Sequence, residues 1–151
     1  GHILHGACRS AGEIAYMRVP AGRLHDVASA TYLCREMACK KAADPEKVDG
    51  RTCFAWVRQG DATAAAVLDT FCQNLAAGLA NIACLCNPDG IVLGGGIMAQ
   101  EDILRPKLET ALAARLPAMM LPPKGLAFAK RQNDAGMLGA LYLLLHRKGS
   151  Y

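Results

Sequence analysis

Aromatic side chains are scarce, only 5% of a 151-residue chain with a single tryptophan. Hydrophobic residues still make up 52% of it, enough for a real core that must be aliphatic and alanine-rich. Basic residues are absent between Arg58 and Arg105, and the net charge is a mild +4. No Lys/Arg cluster interleaves with aromatics, so direct nucleic-acid contact by this chain is not expected. The sequence has no GK[ST] phosphate loop, no nucleophile elbow and no catalytic triad. Its seven cysteines contain no CxxC pair, which leaves a zinc site without support. An odd cysteine count and the lack of a signal peptide predict reduced thiols, packed as small core hydrophobes, in a cytoplasmic protein. The charge-free run 70–88 reaches the length of a membrane span. Gln73, Asn74, Asn81 and Asn87 interrupt it, so a buried helix with no membrane contact is the expectation.

What the chain does have is the run Asn87-Pro88-Asp89-Gly90-Ile91-Val92-Leu93-Gly94-Gly95-Gly96-Ile97. Its first four residues read as a type I turn, with proline pre-setting φ. A short buried strand follows, and then three glycines that lack the Cβ atoms which would hold a flat ligand off the backbone. A strand, a glycine turn and a helix together suit a nucleotide contact. They also suit a tight connection that binds nothing. Gly94-x-Gly96-x-x-Ala99 formally matches a dinucleotide fingerprint, which requires an acidic residue some 20 positions on. Glu109 lies in a predicted helix and the next acid is Asp134. A dehydrogenase is therefore disfavoured.

Periodicity and capping residues outline the remaining elements. A weak alternation from His2 to His5 predicts a strand ending at Gly6, followed by a loop to Gly12 and a turn at 20–22. Asp26 is placed to cap a helix over 27–42 with Leu33 and Met37 on one face. Asp49 caps a short helix that stops at Gly60. Asp61 caps the longest helix, 62–86, roughly 40 Å at ~1.5 Å per residue. That helix is apolar nearly all round, with a narrow polar stripe of Thr63, Thr70, Asn74 and Asn81. Such a helix must be covered on most sides, by a sheet, a second subunit or further chain. A helix over 103–116 with Pro106 in its first turns, a strand over 126–129 and a last helix from Asn133 or Asp134 to about Arg147 complete the outline. Ala135, Gly136, Gly139 and Ala140 would let that last helix approach a neighbour closely.

Taken alone, Glu13 beside Tyr16 reads as a solvated surface pair. Set in order with other segments, it gains meaning. Ala11-Gly12-Glu13-Ile14 resembles the AGEiGH sugar motif of the ROK family (repressor, open reading frame, kinase). Leu24-His25-Asp26-Val27-Ala28-Ser29 resembles its LE-x-x-aS segment, and Gly60-Asp61 opens the same long helix. Asn87 to Gly96 resembles NPexIvlGGG, and Asn133 to Ala140 resembles ndAGllGA. The resemblance covers essentially the whole chain and is to the C-terminal half of ROK sugar kinases and sugar-responsive repressors. Departures accompany it: Tyr16 replaces a histidine, Ala15 a glycine and His25 a glutamate. The zinc loop CxCGxxGC has no counterpart before Leu24, as in zinc-free members similar to β-glucoside kinases.

The resemblance implies an α/β fold, the C-terminal lobe of an actin-like (ribonuclease H-like) ATPase with a small sheet and several helices. Residues 1–151 would be one domain of a larger two-lobed protein. Glu13, Tyr16 and His25 would bind the sugar substrate, and Gly94, Gly95 and Gly96 the adenosine of ATP with its Mg²⁺. No catalytic residue is expected in this chain. The catalytic Asp and the DxGGT phosphate segment would lie in an N-terminal lobe, so the fragment alone should be inactive. A homodimer is expected from the long apolar helix. The other reading is the sugar-sensing domain of a ROK repressor. The retained glycine triplet favours the kinase.

Overall fold

The computed structural model describes residues 3–131 and 134–145. The long helix α4, Ala62–Cys86, is the spine of the molecule. Asp61 starts it by accepting the Ala64 N–H at 2.8 Å, and Asn87 stops it in the left-handed region at φ 42°. Val67, Phe71, Leu75 and Leu79 are buried along it, as their spacing predicts. Its cover comes from within the chain, from α1 (Leu24–Ala28), α2 (Ala30–Lys40), α3 (Gly50–Arg58) and α5 (Glu101–Ala113). The polar stripe partly serves these contacts, since Asn74 Nδ2 donates to the Val27 carbonyl at 3.0 Å.

The helix expected over 27–42 is two helices. Ser29 sits between them in extended backbone, and its hydroxyl accepts the Tyr32 N–H at 3.1 Å to start α2. Asp26 is not the cap; it lies inside α1 and pairs with Arg23 at 2.7 Å. Asp49 does cap α3, through the Thr52 N–H at 2.8 Å. Ahead of α1 runs a short antiparallel hairpin, β1 (Arg18–Val19) and β2 (Gly22–Arg23), which the sequence pattern did not suggest. Residues 3–6 form no strand, and His2 lies outside the described residues.

β3 (Ile91–Leu93) pairs in parallel with β4 (Leu126–Phe128), with Val92 opposite Ala127. The strand is less buried than expected, as Leu93 is buried but Val92 is 69% exposed. No Gly90 N–H closes a turn onto Asn87; the Asp89 carbonyl instead accepts the Lys124 N–H at 2.7 Å, stitching the strand entrances together. Arg105 of α5 fastens this sheet to the helices. It donates to the Leu126 carbonyl at 2.7 Å, stands over the Phe128 ring and is flanked by Glu101 and Glu109. α5 begins before Ile103 and ends before Leu116, with Pro106 inside it.

The last helix, α6, is Asp134–Leu145; Asn133 and Arg147 lie outside the described residues. Its side chains are exposed, Leu141, Leu144 and Leu145 among them. Nothing described lies within 4 Å of a Cβ built on Gly136 or Gly139, so the expected close approach is not made here. The cysteines also depart from expectation. Cys53 and Cys72 are buried and Cys34 half-buried, but Cys8, Cys39, Cys84 and Cys86 are exposed.

Candidate functional site

Gly12 takes φ 89°, a value that favours glycine, and turns the loop into one 3-10 turn over Ile14–Tyr16. This turn presents Glu13 at its start and Tyr16 at its end. The Met17 carbonyl then accepts the Leu24 N–H at 2.8 Å, folding the chain back through the hairpin so that His25 returns beside them. Leu24 anchors that return. It is 6% exposed and lies against Gly78 of α4, where a Cβ would stand 2.8 Å from both its Cδ atoms. A glycine in the middle of a helix is costly, and here it makes room for the neighbour that carries the site.

The outcome is a pocket of about 290 Å³ lined by Glu13, Ala15, Tyr16, Arg23, His25 and Asp26. The three residues expected to share a sugar, Glu13, Tyr16 and His25, stand in its wall together. Arg23 and Asp26 are additions that the sequence reading missed. The signal is in the sequence, opposite charges three apart, but there Asp26 reads as a helix cap. Arg23 Nε donates to Asp26 at 2.7 Å, and this bond holds the Asp26 carboxyl below its ordinary pKa and the guanidinium above its own. The pocket therefore offers carboxylate acceptors, a guanidinium and imidazole as donors, and a phenol that does both. That set suits a polyhydroxylated ligand.

The glycine run lies elsewhere, after β3. Gly95 adopts φ 108° and ψ 163°, a region essentially restricted to glycine, and no atom comes within 4 Å of its Cβ position. Gly94 is ordinary, with Ala129 Cβ 3.7 Å from a built Cβ. Gly96 opens a 3-10 turn and lines a second pocket of about 520 Å³ with Gly50, Arg51, Phe54 and Gln100. Gly50 brings α3 close to that turn, since its Cβ would meet Ile97 Cγ2 at 3.3 Å. Across the rim, Arg58 donates to Gln100 at 2.7 Å and to Asp102 at 2.8 Å, pinning α3 to the start of α5. Of the expected glycines, Gly96 is thus at the pocket, Gly95 shapes the turn and Gly94 packs beside β4.

Among the described residues no group of three or more His, Cys, Asp or Glu could hold a metal ion. No helix there is long and apolar enough to cross a membrane.

Residues 22–147 match the ROK family. An uncharacterised protein of Clostridium perfringens is 42% identical over 142 residues, covering 94% of this chain and 48% of that protein. A glucokinase of Halalkalibacterium halodurans is 31% identical over 175 residues, covering 99% of this chain and 52% of the enzyme. Among solved structures, a ROK hexokinase from Thermus thermophilus superposes with a TM-score of 0.80 at 25% identity, over 95% of this chain and 51% of that one. This chain spans about half the length of the curated relatives it matches. Its mixed α/β architecture is that of half of the actin-like ATPase fold these sugar kinases share. The chain belongs to the ROK family.

Proposed function

We propose that this chain is the C-terminal sugar- and nucleotide-binding lobe of an ATP-dependent sugar kinase. The observation that carries the reading is the convergence of Glu13, Tyr16 and His25 on one polar pocket in a chain of this family. The Glu13 carboxylate would accept hydrogen bonds from sugar hydroxyls, Tyr16 would flank the ring, and His25 would offer a ring nitrogen where the family motif has a carboxylate. The charge of Asp26, fixed by Arg23, keeps the far wall polar.

Gly94, Gly95 and Gly96 would let adenosine lie against the backbone, and the neighbouring pocket is within the usual size range of ligand sites. A ROK glucokinase from Streptomyces griseus of the same fold has been solved with glucose and AMPPNP, which fits this assignment of two ligands. Mg²⁺ finds no carboxylate cage among the described residues, so it would be held by the phosphates and by the half of the relatives that this chain does not span. That half would also supply the carboxylate that takes the hydroxyl proton as the γ-phosphoryl group leaves ATP. The role of this lobe is to orient both substrates. Use of ATP would place the protein in the cytoplasm, and a homodimer remains part of the proposal.

The test is phosphoryl transfer by the full-length protein, with Mg-ATP and a panel of hexoses, β-glucosides and N-acetylhexosamines. Sugar-dependent ADP release with at least one of these is expected. Sugar binding without ADP release from any of them would point to the repressor reading instead.

A further inference from the structure

We propose that Cys34 and Cys53 are a dithiol that a hydroperoxide converts to an intrachain disulfide joining α2 to α3. Their sulfurs lie 3.9 Å apart although the residues are 19 positions apart in sequence. Each thiol is carried by a regular helix, so the approach is fixed by packing rather than by a loop. No other thiol among the described residues donates to a thiol. A disulfide needs the sulfurs at about 2.05 Å, which a rotation at either Cβ and a small approach of the helices would supply.

The two cysteines differ in the way a reactive and a resolving thiol should. Cys34 is half-buried and within reach of solvent, while Cys53 is fully buried. Burial, and then the neighbouring Cys34, push the Cys53 thiol up to about 12, so Cys34 is the thiol that meets the peroxide first. Its S–H donates towards the Cys34 sulfur.

Cys34 attacks the peroxide first. Its sulfur bonds to one oxygen, the O–O bond breaks, and the other oxygen leaves as water with the Cys34 proton. The product is a sulfenic acid. Cys53 sulfur then attacks Cys34 sulfur; the S–O bond breaks, and the hydroxyl leaves as water with the Cys53 proton. Two thiols have lost two electrons and two protons, and one hydrogen peroxide has become two waters. The bond would brace α3, whose Gly50 and Arg51 line the pocket beside Gly96.

Trypsin makes the pair easy to read. Residues 24–35 and 52–58 are separate peptides, each with one cysteine. The protein is treated with one equivalent of hydrogen peroxide, quenched in acid, alkylated and digested. The expected product is these two peptides joined, two hydrogens lighter than their sum, and separated again by dithiothreitol. It should vanish in Cys34→Ser, and the melting temperature should rise on oxidation in the parent protein but not in that variant. Sulfinic acid on Cys34 with Cys53 still alkylatable would overturn the proposal. So would a disulfide that forms first among the exposed Cys8, Cys39, Cys84 and Cys86.

Discussion

Gly78→Ala should do two opposite things, and the structure says which prevails. Alanine at a mid-helix position gains roughly 1 kcal/mol over glycine in helix propensity. Here the new methyl group would stand 2.8 Å from Leu24 Cδ1 and Cδ2, about 1 Å inside ordinary contact. Leu24 is buried and cannot swing into solvent, so overpacking should cost about 1–3 kcal/mol. The balance is a net loss of about 1 kcal/mol. Leu24→Ala alone should cost about 2–5 kcal/mol, because it empties a buried site. In that background the clash is gone, and Gly78→Ala should now stabilise by roughly 1 kcal/mol. Urea unfolding of the four proteins gives the cycle directly. Because Leu24 stands between Arg23 and His25, the single Gly78→Ala variant should also bind sugar more weakly than its loss of stability explains. An effect of the same sign and size in both backgrounds would refute the packing account.

Other expectations concern separate parts of the molecule. Gly95→Ala should cost about 1–3 kcal/mol, because its backbone lies in a glycine-only region, whereas Gly94→Ala should be nearly silent; melting temperatures compare them. Gly95→Val should disturb the turn through the same strain, in addition to crowding the space proposed for adenosine. Asp61 is held below its ordinary pKa, first by the Lys41 side chain and then by the Ala64 N–H. The unfolded chain takes up that proton near pH 3.9 while the folded chain does not, so the stabilisation is complete above that pH and is lost as pH falls through the folded value. Asp61→Asn should therefore melt below the parent at pH 7, and the gap should close in strong acid. Chelators should leave the melting temperature unchanged, and stoichiometric zinc in elemental analysis would contradict that.

The long helix was legible because its signals agree. Asp61 caps it, apolar residues recur every fourth position, and Asn87 can adopt the left-handed stop. The break at Ser29 was not, since no glycine or proline marks it and the hydroxyl cap shows only once Tyr32 is placed. Two-residue strands such as Arg18–Val19 carry too little alternation to be seen. Burial failed for a different reason. Val92 and the leucines of α6 have apolar patterns, but burial depends on what packs against them, and about half or more of each stays exposed. At the pocket beside Glu13, family resemblance points to Glu13, Tyr16 and His25, whereas local chemistry alone favours a surface pair. Arg23 and Asp26 emerged only with the hairpin that returns them to the same wall.

Glu13→Gln in the full-length protein tests the central assignment most directly. The change keeps the size of the side chain and removes its charge. A charge-assisted hydrogen bond contributes about 1.5–3 kcal/mol, so sugar affinity should fall roughly 10- to 150-fold. Affinity for an ATP analogue, measured by titration on the same preparation, should hardly move, because Glu13 and the glycine turn line different pockets. Unchanged sugar affinity, or a parallel loss of nucleotide affinity, would contradict the assignment of this pocket to the sugar.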